Sequence, residues 1–194
     1  MMFSPRQARI TDLPVGQVFH RVQRIKARKD SVKINRMFLP PAGIRAGRFC
    51  LQTGVTAYLA DSAETALYEA VFRRELKTSV ALEELRLKAL ASFQIAKPLR
   101  LVDIRGFEEQ YPFLQSQRIQ FTQAFAQECF AVGHDGILYA SAQHAHHECV
   151  CLFESGVRKM RHTGALPLVK QKQGKDVLLW SVVAAARRSA VEIA

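Results

Sequence analysis

Apolar and polar positions alternate along 56–61. Thr56, Tyr58 and Ala60 fall on one side and Ala57, Leu59 and Asp61 on the other, which predicts a short strand. The chain then runs directly into a helical pattern. After a cap at Asp61 or Ser62, with Glu64 or Thr65 near the capping-box position, Ala63, Ala66, Leu67, Ala70, Val71 and Arg74 recur at three-and-four spacing. Tyr68 and Phe72 widen that stripe, and Glu69 lies at its edge between Leu67 and Ala70. A carboxylate beside an apolar stripe is costly to bury unless it meets something positive, which makes Glu69 a candidate functional residue. The plainer reading is a surface pair with Arg73 at i+4.

The same patterning organises the rest of the chain. Residues 17–22 read as a strand with Val18, His20 and Val22 on one face and Phe19 and Arg21 on the other, so Arg21 shares an apolar side. Residues 23–43 read as a long excursion broken at Pro40-Pro41, and 47–51 as a strand led by Gly47-Arg48. Residues 76–105 read as a linker with one or two strands, the clearest over 99–104. A second helix is predicted over 116–132, with Phe121, Phe125, Cys129 and Val132 on its buried face and Gly133 ending it. Short strands follow over 137–141, ending at Ser141, and over 148–153. Residues 154–174 read as a basic surface crossing, and 175–194 as a terminal helix anchored by Trp180. The expected division is an entry segment 1–16, a catalytic domain 17–153 and a basic extension 154–194, in the α+β class.

Length and composition fit this picture. A chain of 194 residues with 48% apolar content and twelve Phe supports one packed domain. A net charge of +11 attracts anions of any kind, but the basic residues are scattered and do not form a basic-aromatic stripe, so direct nucleic-acid binding is not expected. The stretch 177–186, ten residues without a charge, is far too short for a membrane span, which needs about 20. The N-terminal residues show no apolar run of signal-peptide type, and the four Cys show no CxxC pairing. A cytoplasmic protein is therefore expected.

Nucleotide and metal signatures are missing: there is no GxGxxG, GxxxxGK[ST] or HExxH. His144, His146, His147, Glu148, Cys149 and Cys151 hold enough donors for zinc, but no second ligand pair matches them elsewhere. On a strand over 148–153, Cys149 and Cys151 share a core face with Phe153, so no metal is expected. What remains is an ordered set: Arg21 and Arg48 on early strands, Tyr58 on the central strand, Glu69 on the following helix and Ser141 at the end of a late strand.

That set, carried by FHRV at 19–22, GRF at 47–49, AYLADSAETALYE at 57–69, LVDI at 101–104, GILYAS at 136–141 and CVCLF at 149–153, resembles the RES-domain family. The family is named for its Arg, Glu and Ser, and its members are known as NAD-consuming toxins of toxin–antitoxin pairs. The resemblance implies a compact ADP-ribosyltransferase-like α+β fold, with a split central sheet flanked by helices and an NAD-binding cleft. It makes NAD the substrate and needs no metal. Arg21 and Arg48 become the cleft arginines, with Arg24, Arg28 and Arg36 as alternatives to Arg21. Tyr58 becomes the aromatic on the floor, Glu69 the key carboxylate and Ser141 the late serine. The implied reaction is cleavage of the nicotinamide–ribose bond, as NAD glycohydrolase, NAD phosphorylase or ADP-ribosyltransferase. The implied partner is an antitoxin with an Xre-like DNA-binding domain, or an immunity protein if the toxin is delivered into other cells. The alternative is an inactive transferase-like module that binds nucleic acid or a protein.

Overall fold

The computed structural model describes residues 5–44, 47–73, 77–114 and 119–194. In chain order these form β1 (Arg9–Leu13), β2 (Val18–Arg24), the hairpin β3 (Val32–Ile34) and β4 (Met37–Leu39), β5 (Thr56–Ala60) and α1 (Ala63–Ala70). Next come β6 (Ser79–Val80), α2 (Leu82–Arg86), β7 (Lys88–Ile95), β8 (Leu99–Asp103), α3 (Ile119–Ala131), β9 (Gly136–Ala140) and β10 (Glu148–Phe153). The chain closes with α4 (Glu154–Arg158), β11 (Met160–Pro167), β12 (Val169–Lys172), β13 (Lys175–Leu178), α5 (Trp180–Ser189) and β14 (Glu192–Ile193). No helix among the described residues is long and apolar enough to cross a membrane.

One mixed sheet carries the fold, in the order β1-β8-β9-β10-β5-β2-β7-β11, with β8 and β9 parallel and the other neighbours antiparallel. Alternate side chains feed two cores. Tyr139, Cys149, Cys151 and Phe153 pack with α1, α3 and α5 on one face, while Leu59, Leu138, Val150 and Leu152 pack with Phe19 and the β3–β4 hairpin on the other. The expected core face of Cys149 and Cys151 is therefore occupied as read from the sequence.

The sheet is not evenly knitted. β2 pairs with β7 from Val18↔Gln94 to Arg24↔Lys88, and β5 pairs with β10 from Thr56↔Phe153 to Ala60↔Cys149. Between them, β2 and β5 meet at the single pair His20↔Ala60 among the described residues. Continued antiparallel pairing would set Arg21 opposite Leu59 and Val22 opposite Tyr58. The strands diverge there instead, which gives the split that an ADP-ribosyltransferase-like sheet implies.

Several expectations need correction. Residues 47–51 form a turn and no strand, because Cys50 N–H closes back on Gly47 O at 3.2 Å and Phe49 N–H is taken by the Tyr58 hydroxyl at 2.8 Å. The excursion 23–43 contains the end of β2 and the β3–β4 hairpin, and 76–105 holds β6 and α2 besides the expected strands β7 and β8. Residues 154–174 supply α4, β11 and β12, with β11 an edge strand of the main sheet, so this stretch is not a surface crossing. The terminal helix begins at Trp180, which is 74% exposed and anchors nothing; Val182, Ala185 and Ala186, on the opposite stripe, face the core. In α3 the buried face is Thr122, Phe125, Ala126 and Cys129, whereas Phe121 and Val132 are exposed. Gly133 follows α3 with φ +89°, the left-handed geometry of a helix terminus. The predicted positions Arg74 and 116–118 lie outside the described residues.

One buried charge ties β1 to the sheet. Asp103, fully buried, accepts from Arg9 Nη2 at 2.7 Å, Thr11 Oγ1 at 3.0 Å and Arg105 Nε and Nη2 at 2.9 and 2.7 Å. Burial alone would raise its pKa, but these donors outweigh it and bring it from 3.8 down to about 2. A depressed carboxylate stabilises the fold above its unfolded pKa and loses that contribution as pH falls through the folded one. Asp103→Ala is therefore expected to cost about 3 kcal/mol in urea denaturation at pH 7. The difference from wild type should shrink between about pH 4 and pH 2.

Candidate active site

The divergence of β2 from β5 opens a cavity of about 530 Å³. Arg21, Val22, Tyr58 and Leu59, the residues whose ladder is interrupted, line it together with Arg48, Glu69, Arg73 and Cys149. All of the predicted site positions except Ser141 are lining residues, and Ser141 is bonded directly to one of them. Arg24, Arg28 and Arg36 do not line the cavity.

Glu69 sits in the last turn of α1, a helix capped by Ser62, whose Oγ accepts Thr65 N–H at 3.1 Å. Ser141 Oγ donates to Glu69 Oε1 at 2.6 Å. Ser141 Oγ in turn accepts two backbone bonds, from Gln143 N at 3.2 Å and His144 N at 3.1 Å. A hydroxyl has one proton and two lone pairs, so all three are used and the proton is aimed at the carboxylate. The Cys149 thiol lies 4.0 Å from the same Glu69 oxygen, and burial, with Glu69 nearby, pushes its pKa up. Cys149 is thus a neutral neighbour and no nucleophile.

Arg21 presents a different situation. Its Nε and Nη1 are buried without a hydrogen-bond partner, and Nη2 reaches Phe38 O only at 3.5 Å. Burial lowers its pKa to about 10. At neutral pH it is still a cation, held in a wall with two of its three nitrogens unpartnered.

Arg48 is placed by packing. Its Nη1 donates to Leu114 O at 3.0 Å, and its guanidinium lies 5.0 Å above the Tyr139 ring and 5.4 Å from the Phe49 ring. The turn that carries it rests on Tyr58, whose hydroxyl accepts Phe49 N–H and lies 3.6 Å from Cys50 Sγ. A Cβ on Gly47 would meet Tyr58 Oη at 2.5 Å and Cζ at 2.8 Å, so only glycine lets the turn lie this close. Tyr58 thus fixes Arg48 through its hydroxyl while its ring lines the cavity.

Three features were not legible as site elements. His20 lines the cavity, bonded through Nδ1 to Ser92 Oγ at 2.9 Å, and burial lowers its pKa, partly offset by Asp61. Arg73, read only as a possible Glu69 partner, also lines it. The histidine cluster weighed for zinc is occupied otherwise: His144 and His147 stack face to face at 3.8 Å and bond to Thr65 and Asp61. The sequence signal was the cluster itself, weighed there as a metal site and set aside.

The split in the sheet thus brings a carboxylate, its serine partner and two arginines to one cavity. The family model of the RES domain matches residues 20–170. The chain belongs to the RES-domain family. Among solved structures, a chain from the crystal structure of the M. tuberculosis MbcT–MbcA toxin–antitoxin complex is similar, with a TM-score of 0.61 over 91% of this chain and 90% of that chain at 14% identity. That likeness establishes the fold. A search of curated proteins by sequence gives no match.

Gly47→Ala should cost about 1–3 kcal/mol, because the new methyl must displace the Tyr58 ring. Gly164→Ala, where a Cβ meets open space, is the control. Thermal melting of both variants checks this, with a loss expected for the first alone.

Proposed function

We propose that this protein is an NAD-consuming toxin that cleaves the bond between nicotinamide and ribose. The observation that carries the reading is the pairing, in one cavity, of a serine-held carboxylate with an arginine whose buried Nε and Nη1 have no partner. A volume of about 530 Å³ lies within the roughly 300–1,000 Å³ of small-molecule sites. The orphaned Arg21 nitrogens fit an anionic group, and a pyrophosphate offers the bidentate acceptors that a guanidinium fork matches. Arg48 is a further cation lining the same cavity.

In this reading Glu69 lies beside the nicotinamide ribose. The glycosidic bond breaks with both electrons going to the pyridinium nitrogen, so nicotinamide leaves neutral and positive charge develops on the ribose. A carboxylate stabilises such an oxocarbenium-like transition state. The leaving group is already activated, so neither a metal nor a protein nucleophile is required. An acceptor oxygen, from water, phosphate or a protein side chain, then bonds to the ribose carbon and loses its proton to solvent. Ser141 directs its proton to Glu69 and thereby keeps that carboxylate oriented. The aromatic ring of Tyr58 offers a stacking surface for the nicotinamide or its ribose.

Membership in the RES-domain family and a fold shared with a chain of a toxin–antitoxin complex support the toxin assignment. The expected partner is an antitoxin, of the type with an Xre-like DNA-binding domain, that covers the cleft. A net charge of +11 suits an acidic partner surface. The expected site of action is the cytoplasm.

Glu69→Gln removes the negative charge and keeps the size. Nicotinamide release from NAD, followed chromatographically with and without phosphate, should fall by about 100-fold or more while the melting temperature stays near wild type. Unchanged release by a folded Glu69→Gln protein contradicts the assignment. Arg21→Met should act in two opposite directions. The ligand-free protein should gain about 1–3 kcal/mol of stability, because a desolvated unpaired cation is replaced by an apolar side chain. The KM for NAD should rise about 10- to 100-fold, the value of a lost charge-assisted contact.

A further inference from the structure

Ser141 can direct its proton to Glu69 only while the amides of Gln143 and His144 hold its oxygen in place. Those amides belong to the irregular stretch 141–147, which has no regular structure of its own. Inside it, Ser141 N–H donates to His147 O at 2.8 Å and His147 N–H donates to His144 O at 3.2 Å, with His146 at φ +66° closing the turn.

Two histidines fasten this turn to the start of α1. His144 Nδ1 shares a 2.8 Å hydrogen bond with Thr65 Oγ1, which is bonded in turn to the capping Ser62 Oγ at 2.7 Å. The Tyr68 ring meets the His144 ring edge-on, with centroids 5.0 Å apart. His147 Nδ1 lies 3.0 Å from Asp61 Oδ1, and Asp61 Oδ2 also accepts Glu148 N–H at 2.9 Å. The two imidazoles stack within 13° of parallel. Asp61, Ser62, Thr65 and Tyr68 all lie on or just ahead of the helix that carries Glu69.

We infer that His144 and His147, with Thr65 and Asp61, form a clasp that positions Ser141 against Glu69. They are positioning residues and touch no reacting atom. The clasp fixes the turn to α1, the turn presents its two amides to Ser141, and Ser141 sets the carboxylate. The inference rests on the reading of Glu69 and Ser141 as the groups serving glycosidic cleavage.

The test uses the full chain with NAD as substrate. His144→Ala should lower kcat for nicotinamide release by about 10- to 100-fold, the size of effect a displaced positioning group produces, with KM little changed. His144→Asn, which restores a polar atom near the Nδ1 position, should recover most of kcat. The double variant His144→Ala/Ser141→Ala should be no worse than Ser141→Ala alone, because His144 acts through Ser141. His146→Asn, at the exposed left-handed position, is the neutral control. The inference is overturned by wild-type kcat in His144→Ala, by a loss confined to KM, or by losses that multiply in the double variant.

Amide hydrogen exchange of residues 143 and 144 gives a readout that needs no turnover. Protection present in wild type and lost in His144→Ala supports the clasp, and protection retained in the variant refutes it. If wild-type protein releases no nicotinamide under any acceptor condition, the cleavage reading fails, and exchange alone decides whether the clasp exists.

Discussion

The parting of β2 from β5 is the constraint on which the rest of this molecule depends. Two central strands that meet at one residue pair give up ladder hydrogen bonds in the middle of a sheet, where sheets are ordinarily most regular. The fold tolerates this because each strand is fully paired on its other side, β2 with β7 and β5 with β10. The gap places Arg21 and Tyr58 on its two walls. On a continuous sheet Arg21, which shares its face with Phe19, would be shut off from the α1 side where Glu69 lies. Through the gap both reach one cavity.

Two buried charges show how the chain separates structure from function. Asp103 is surrounded by donors from Arg9, Thr11 and Arg105, so its charge holds β1 and β8 together. Arg21 has a single long contact and two nitrogens without partners. A buried charge is stable when paired and costly when not. The first arrangement is complete as it stands, whereas the second leaves Nε and Nη1 without partners, and the proposed function assigns these to an anion. Ser141 and Glu69 fall between these cases, since every hydrogen-bonding position of the serine is used but the carboxylate still faces the cavity.

Much of this was legible in the sequence where local pattern and burial agree. β5 running into α1, the limits of β10, and a short strand leading up to Ser141 follow from local pattern and capping alone. The core face of Cys149, Cys151 and Phe153 also showed, whereas the second core, on the Val150 side of β10, did not. The position of Arg48 did not follow from alternation: residues 47–51 read as a strand, but tertiary contact with the Tyr58 hydroxyl bends them into a turn. Trp180 misled for a related reason. A large aromatic suggests an anchor, yet the small residues Ala185 and Ala186 let α5 lie close on the core while the indole points outward. The histidine cluster was weighed as a metal site and set aside, and that reading did not include rings stacked on each other and fastened to a helix start. Contacts between residues about 80 apart in sequence, such as Thr65 with His144, leave no periodic trace.

The most direct measurement is a crystal structure of the Glu69→Gln protein with NAD. The expected result is a pyrophosphate held by Arg21 and Arg48, with the nicotinamide ribose beside the side chain at position 69 and Ser141 still bonded to it. Electron density for NAD elsewhere on the protein, or an anion-free Arg21 with NAD bound, would contradict the assignment of this cleft.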